Sequence, residues 1–397
     1  MRVTQMMLSQ SSLRNINQGY NRLASIQDQL STGKKITRAS QDPVVAMKGM
    51  RYRSQVTEVE QFKRNLSEAY NWMDTADATL DKGTEVLQRI RELATQAAND
   101  TYNPAERANM AKEVQQLREH LESLGNMKNS NKYIFNGTNT TNPPISNTTN
   151  MDLGIQAFFD GSIKDLGSVE VVYNGKTFQH IGTENGQPIF QDTSQTTPVY
   201  GEADFNAQAI RLMIGADNSV TYIEPNQAHD PNHAVSQALT TKTVRSNDVV
   251  VASATGVSVN SQSVEIELLK GVSIPVNINP SSVFSNALFG DITRLERALD
   301  DATVDGTELT GYIDNIFGHI DRFVTERAEL GARVNRVQMI ENRLMEQEVS
   351  ANRIMSENED AEIEKVIIDL MTQESVHRAA LSAGARIIQP SLLDFLR

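Results

Sequence analysis

The stretch LSTGKKITRASQDP, Leu30 to Pro43, separates two long runs of helical apolar spacing. Gly33 suits a helix C-terminus, where a left-handed residue closes the last turn. Asp42 followed by Pro43 suits a new N-terminus: the carboxylate caps the first free amides, and proline at the first helical position loses no hydrogen bond. Three cations, Lys34, Lys35 and Arg38, stand between the stop and the start. The stretch therefore reads as an inter-domain connector formed by Gly33, Lys34, Lys35, Arg38, Asp42 and Pro43, with a helix entering and another leaving.

Upstream, Met6, Leu13, Ile16, Tyr20, Leu23 and Leu30 recur at steps of three and four once Ser9 and Gln27 are admitted as polar positions. Downstream the pattern is stronger. From Val59 to Ala97, through Leu66, Met73, Leu80, Leu87 and Ile90, steps of three and four alternate without a slip, and Gly83 is the one position not clearly apolar. Spacing sustained over that length predicts a coiled-coil-like seam. NDTYNPAER predicts a turn, and the helix after Pro104 presents Met110, Val114, Leu117, Leu121 and Leu124.

The far end of the chain mirrors this. Leu288, Ile292, Leu295 and Leu299 form a short seam. A longer one runs from Ile313 to Leu344, with Arg327 and Glu341 at polar positions. After the polar break SENEDAE at 356–362, a last helix carries Ile363, Ile367, Leu370, Leu381 and Ile388. Pro390 ends it, and the closing SLLDFLR adds Leu392, Leu393 and Leu396. Each terminal helix offers a stripe too narrow to stabilise it alone, because an isolated helix of this length is marginal in water. Both termini are expected to be largely disordered in a free monomer and to order on assembly.

The centre differs. Of eleven prolines, all but Pro43, Pro104 and Pro390 lie between 143 and 280, which excludes long helices there. VEVVYNGKTFQHI predicts a hairpin, since Asn174-Gly175 accepts the positive φ angles of a type I′ turn. A second hairpin is expected around Lys270-Gly271, and VTYIE and DVVVA read as further strands. Residues 136–285 hold six Lys/Arg against fourteen Asp/Glu, as suits a solvated exterior module. The fold class expected is α+β: a discontinuous, coiled-coil-like helical bundle built from both chain ends, with an inserted mainly-β outer domain. Residues 1–31 and 360–397 form the inner pair, 32–137 and 286–359 the bundle, and 138–285 the insert.

Composition narrows the functions. The net charge of −13 opposes general nucleic-acid binding. The absence of cysteine excludes disulfides, thiolate metal sites and a Cys nucleophile. No apolar run suits a signal peptide or membrane insertion, which by itself suggests a soluble, cytoplasmic chain. His229 and His233 stand four apart, but Pro231 lies between them and the general-base Glu of a zinc-protease helix is missing. His120, His319 and His377 sit beside seam residues and are expected to flank packed helices. Glu265 and Glu267 share one face of a strand, a common surface pattern. Asn136-Gly-Thr and Asn147-Thr-Thr fit the glycosylation sequon. No phosphate loop is present. No catalytic group, cofactor or metal is expected.

LSTGKKITRASQDP closely resembles the signature between the first and second helices of bacterial flagellins and their relatives. RAELGARVNRVQMIENRL (327–344) and ENEDAEIEKVIIDLMTQESVHRAALSAGARIIQPSLLDFLR (357–397) resemble that family's two C-terminal helices. The likeness covers about 1–137 and 286–397, in order. Gln41 departs from the family's usual Asp, with a minor effect expected. MRVTQMML, KYIFNGT (132–138) and ARIIQPSLLDFLR look more like the members that join hook to filament than like the filament subunit itself. The resemblance implies a structural protein of the extracellular bacterial flagellum, assembling in a helical lattice with copies of itself. It implies further contacts with a hook-side hook-associated protein, flagellin and an export chaperone. Export would follow the flagellar type III pathway, unfolded and without a cleaved signal peptide. The connector cations would then touch adjacent subunits.

Overall fold

The computed structural model describes residues 5–99, 102–146, 151–184, 186–193, 210–225 and 239–388. The chain runs α1 (Gln5–Thr32), α2 (Pro43–Ala97), α3 (Pro104–Gly125), then the small hairpin β1 (Lys128–Asn129) and β2 (Lys132–Tyr133). Strands β3 (Val169–Tyr173), β4 (Lys176–Glu184), β5 (Gln187–Asp192), β6 (Arg211–Ile214), β7 (Val220–Pro225), β8 (Leu239–Val244) and β9 (Val250–Ser253) follow. A separate hairpin comprises β10 (Glu265–Leu269) and β11 (Val272–Pro275). The chain returns to helix with α4 (Pro280–Val283), α5 (Asn286–Asp300), α6 (Gly306–Glu359) and α7 (Ile363–Ile388). This is the α+β arrangement the sequence pattern predicts: long helices from both ends and a mainly-β insert. The chain divides into two units, Met1–Arg64 with Ile340–Arg397, and Asn65–Met339.

In the first unit α1 and α7 pair antiparallel. Lys34 bridges Asp360 at one end, Gly19 faces Gln373 and His377 midway, and Gly384 lies under Ile16 at the other. Where α2 and α6 enter this unit, Val59, Ile340 and Leu344 are buried, and Lys63 pairs with Glu348 at 2.9 Å.

In the second unit the seam of α2 is buried along its length, from Leu66 through Ala97. A further stripe, Trp72, Thr79, Val86 and Leu93, is buried beside it at intervals of seven. The face is thus three positions wide per heptad, the width of a bundle helix, where the sequence suggested two. Gly83 has a steric reason. A Cβ there would stand 2.5 Å from the ring of Phe323, which is fully buried and stacked edge-on against Phe284 at 5.4 Å. Gly83→Val is therefore expected to lower stability by about 1–3 kcal/mol through overpacking. A urea titration followed by the fluorescence of Trp72, the single and buried tryptophan, reads the shift in midpoint. Arg327, a polar position of the α6 seam, is explained too: its guanidinium reaches Asp77 at 2.7 and 3.1 Å and also pairs with Asp81.

Seven strands form one antiparallel sheet in the order β8-β7-β6-β5-β4-β3-β9. Asn174 and Gly175 both take positive φ, 51° and 73°, as the turn joining β3 and β4 requires. The alternation of β3 decides what each sheet face meets. Val169 and Val171 join a cluster with Phe178, Phe190, Leu212 and Val251, while Val172 and Val250 pack with Ala287 of α5. Most of α5 is buried on every side from Asn286 to Leu295, so this helix is the core element tying sheet to bundle within the unit.

Candidate assembly surface

The connector is built as expected and does more than join helices. Gly33 takes φ +69° and its amide closes the last turn of α1 on the Gln29 carbonyl at 2.8 Å. The Asp42 carboxylate accepts from the amides of Val44 and Val45 at 2.9 and 3.1 Å, capping α2. Between them the Gln41 side-chain oxygen accepts from the amides of Thr37 and Arg38 at 2.8 and 3.2 Å. The carboxamide thus supplies the acceptor a carboxylate would have given.

The backbone then pairs with the end of α6 and the start of α7. The Lys35 amide donates to the Glu359 carbonyl at 2.7 Å, and the Ala361 amide donates to the Gly33 carbonyl at 2.8 Å. Lys34 Nζ reaches Asp360 at 2.7 Å and Glu359 at 3.5 Å, and Arg53 grips Glu359 at 2.7 Å. The Lys35 ammonium donates to the Glu357 carbonyl. Lys34 and Lys35 therefore close a latch inside the chain. Arg38 is exposed and lines a cavity of about 220 Å³ with Ile36, Val45, Met50 and Arg53.

The latch is pH-sensitive in a defined sense. The hydrogen bond from Arg53 holds the Glu359 carboxyl below its ordinary range, and the bond from Lys34 does the same for Asp360. Lys34 itself is raised, chiefly by its bond to Asp360. A lowered carboxylate contributes stability above its unfolded pKa and loses it as pH falls through the folded value. A raised lysine contributes below its unfolded pKa and loses it as pH rises through the folded one. Latch closure is therefore expected to hold from mildly acidic pH to about pH 10 and to open below about pH 4. Amide protection at Lys35 and Ala361, corrected for intrinsic exchange, reports it. Unchanged protection at acid pH would show that the carboxylates do not hold the latch.

The terminal helices carry two adjacent stripes. On α1, Ser12, Ile16, Gly19, Leu23 and Ile26 are partly buried. Opposite them on α7 stand Val366, Leu370, Gln373, His377, Ala380 and Gly384, buried or partly so. Of the residues the spacing singles out, Ile16, Leu23 and Leu370 lie on this inner side. Leu13, Tyr20 and Leu30 are 50%, 64% and 38% exposed, and Ile363, Ile367 and Leu381 are also exposed. The side chain of Ile388 and residues Leu392, Leu393 and Leu396 lie outside the described residues. Ile26 and Val366 of the inner side, and Ile368, Met371 and Val376 of the outer, escaped the pattern reading. They sit about 100° around the helix from its chosen positions, and a stripe of steps three and four does not say which neighbour it faces.

A second polar group was not foreseen. Asp291 of α5, fully buried, accepts from Arg294 at 2.9 Å, from His319 Nε2 of α6 at 2.8 Å and from the Gly175 amide at 3.2 Å. His319 does more than flank a packed seam; it is a hydrogen-bonding member of the interior. Asn286 adds a parallel tie to Glu170 of β3 at 2.9 Å. These groups bond one another and hold the β3–β4 turn to α5 and α6. His120 is exposed on α3, and His377 faces the Tyr20 ring at 6.0 Å. Glu265 and Glu267 are exposed on β10. Asn136 is buried and donates to the Asn142 carbonyl at 2.9 Å, so that sequon is closed in the folded chain. Asn147, His229 and His233 lie outside the described residues. Among the described residues no cluster of three or more His, Asp or Glu suits a metal ion, and no helix is long and apolar enough to cross a membrane.

Residues 3–140 match the family model described as the bacterial flagellin N-terminal helical region. The chain is 22% identical over 343 residues to a flagellin of Clostridium tyrobutyricum, covering 85% of this chain and 86% of that one. It is 28% identical over 147 residues to flagellar hook-associated protein 3 of Escherichia coli, covering 37% of this chain and 46% of the relative, so the match spans less than half of that protein. The fold is similar to that of a hook-associated protein structure from Vibrio parahaemolyticus, with a TM-score of 0.51 at 13% identity over 81% of this chain and the whole of the other.

Proposed function

We propose that this chain, whose residues 3–140 match the bacterial flagellin N-terminal helical region, is a flagellin-family structural subunit of the flagellum that joins the hook to the filament. The carrying observation is the outer stripe of the α1–α7 pair. Leu13, Tyr20, Ile367 and Leu381 expose apolar surface while the pair's inner face is already filled. Neighbouring copies in a helical lattice complete that surface. Residues 1–31 and 360–397 form the inner domain, 32–137 and 286–359 the bundle domain, and 138–285 the outer module. The connector latch sets where inner domain gives way to bundle. Beyond copies of itself, the partners are a hook-side hook-associated protein, flagellin, and an export chaperone before secretion through the flagellar type III route.

The resemblance to hook-associated protein 3 and the residues at the chain's start and end support the junction role. Flagellin is the second reading, favoured by the near full-length alignment with the Clostridium protein. Electron microscopy of a deletion strain separates them. Hooks without filaments, with flagellin shed into the medium, are expected for a junction protein. Hooks bearing normal filaments would reject the junction role, and purified chain growing long filaments on seeds would favour flagellin.

A further inference from the structure

The chain holds three Asn-Gly pairs, beginning at Asn136, Asn174 and Asn185. In such a pair no side chain shields the glycine amide from the asparagine carboxamide before it. Asn185 lies outside the described residues. Asn136 is buried; its side-chain nitrogen donates to the Asn142 carbonyl and its own carbonyl accepts from Asn260, both at 2.9 Å. That pair is locked on both sides. Asn174 is exposed at the tip of the β3–β4 hairpin, and its carboxamide has one long hydrogen bond, from Asn315 at 3.4 Å. The restraint at this pair falls on the neighbouring amide. Gly175 is partly buried, and its amide donates at 3.2 Å to Asp291, which is fully buried and held by Arg294 and His319.

We propose that Asn174 is a site of self-modification, conversion to aspartate or isoaspartate, and that Asp291 keeps it dormant while the hairpin is docked. The chemistry needs the Gly175 nitrogen free of its proton. Once hydroxide removes that proton, the nitrogen attacks the side-chain carbonyl carbon of Asn174. The new carbon–nitrogen bond closes a cyclic imide, and the carboxamide nitrogen takes a proton from water and leaves as ammonia. Water then opens the imide at either carbonyl. The balance is asparagine plus water to aspartate or isoaspartate plus ammonia. Asp291 opposes the first step twice. It holds the proton in a charge-assisted hydrogen bond, and its negative charge disfavours the nitrogen anion that deprotonation leaves. Opening of the hairpin releases the amide from both restraints. Isoaspartate then routes the backbone through an extra methylene at the tight Asn174–Gly175 turn, so the amide no longer meets Asp291 in the same register. Modification is thus a one-way loosening of the tie between this hairpin and α5.

The test incubates the whole chain and the free peptide VVYNGKTF, residues 171–178, side by side at neutral pH. Mass spectrometry of digests follows aspartate and isoaspartate at each position. Asn174 is expected to convert about tenfold or more slowly in the folded chain than in the peptide, the rate equivalent of one charge-assisted hydrogen bond. Asp291→Asn should speed both exchange of the Gly175 amide and conversion at Asn174, and leave Asn136 unchanged. Wild-type chain in sub-denaturing urea makes the same comparison without a mutation, and there the two rates should rise in proportion. Folded chain converting as fast as the peptide would overturn the proposal. So would a Gly175 amide freed in either experiment with conversion at Asn174 no faster. The assembly role is tested separately by the hook and filament phenotype.

Discussion

Asp291→Ala is expected to destabilise the second unit by about 3–5 kcal/mol, the range for removing one partner of a buried ion pair. The carboxylate is fully buried and is the counter-charge for Arg294, which is itself nearly so. It also receives His319 at 2.8 Å and the Gly175 amide at 3.2 Å. Its loss removes the acceptor that a buried guanidinium, a buried imidazole and a partly buried backbone amide share. The guanidinium cannot neutralise itself by releasing a proton. The consequences are local first. The Asn174–Gly175 turn loses its tie to α5, and the β3–β4 hairpin should lose exchange protection before the α2 seam does. Asp291→Asn keeps an oxygen acceptor but not the charge, so it should fall between the two. Urea unfolding followed at Trp72 measures the total, and hydrogen exchange at 169–184 locates it. A loss below about 1 kcal/mol would mean that the group is not an anchor.

Leu13→Asp combined with Leu381→Asp is expected to abolish incorporation into the flagellum while leaving the folded monomer nearly unchanged. Both side chains are about half exposed, at 50% and 48%, and point away from the filled side of the α1–α7 pair. In the monomer each change swaps an apolar group in water for a charged one, an effect within about ±0.5 kcal/mol. On the proposed reading, neighbouring helices of a lattice cover the same positions. There a carboxylate must be desolvated without a partner, at a cost of several kcal/mol per site. The mismatch repeats in every copy, so the effect on assembly is much larger than on folding. Complementation of a deletion strain, scored as filaments per hook, gives the assembly result. Circular dichroism and the Trp72 unfolding curve give the folding result. Normal filament numbers from the double variant would place the subunit contacts elsewhere.

The connector shows how one stretch can be legible in outline and open in detail. Helix stop, cap and restart at Gly33, Asp42 and Pro43 follow from local backbone chemistry and stand as read. The cations between them could serve a neighbouring subunit or the chain itself. What decides is that Glu359 and Asp360, more than three hundred residues away in sequence, arrive within 2.7–3.5 Å of Lys34. A charge reversal at Lys34 is therefore expected to loosen the chain's own latch as well as any contact between copies. The polar seam position Arg327 behaves in the same way: the spacing marks it, and only the facing helix supplies Asp77 and Asp81.

Periodicity by itself determined the long helices, the break between them, and the strand-rich insert with its Asn174-Gly175 turn. Those features depend on contacts within a few residues, which sequence order preserves. Which stripe of α1 meets α7, the third buried column of α2, and the gathering of Asp291, Arg294, His319 and Gly175 were decided by the tertiary structure alone. A helical stripe records that a surface is apolar but not what covers it. A buried charge is tolerable only where folding delivers its partner from a distant part of the chain.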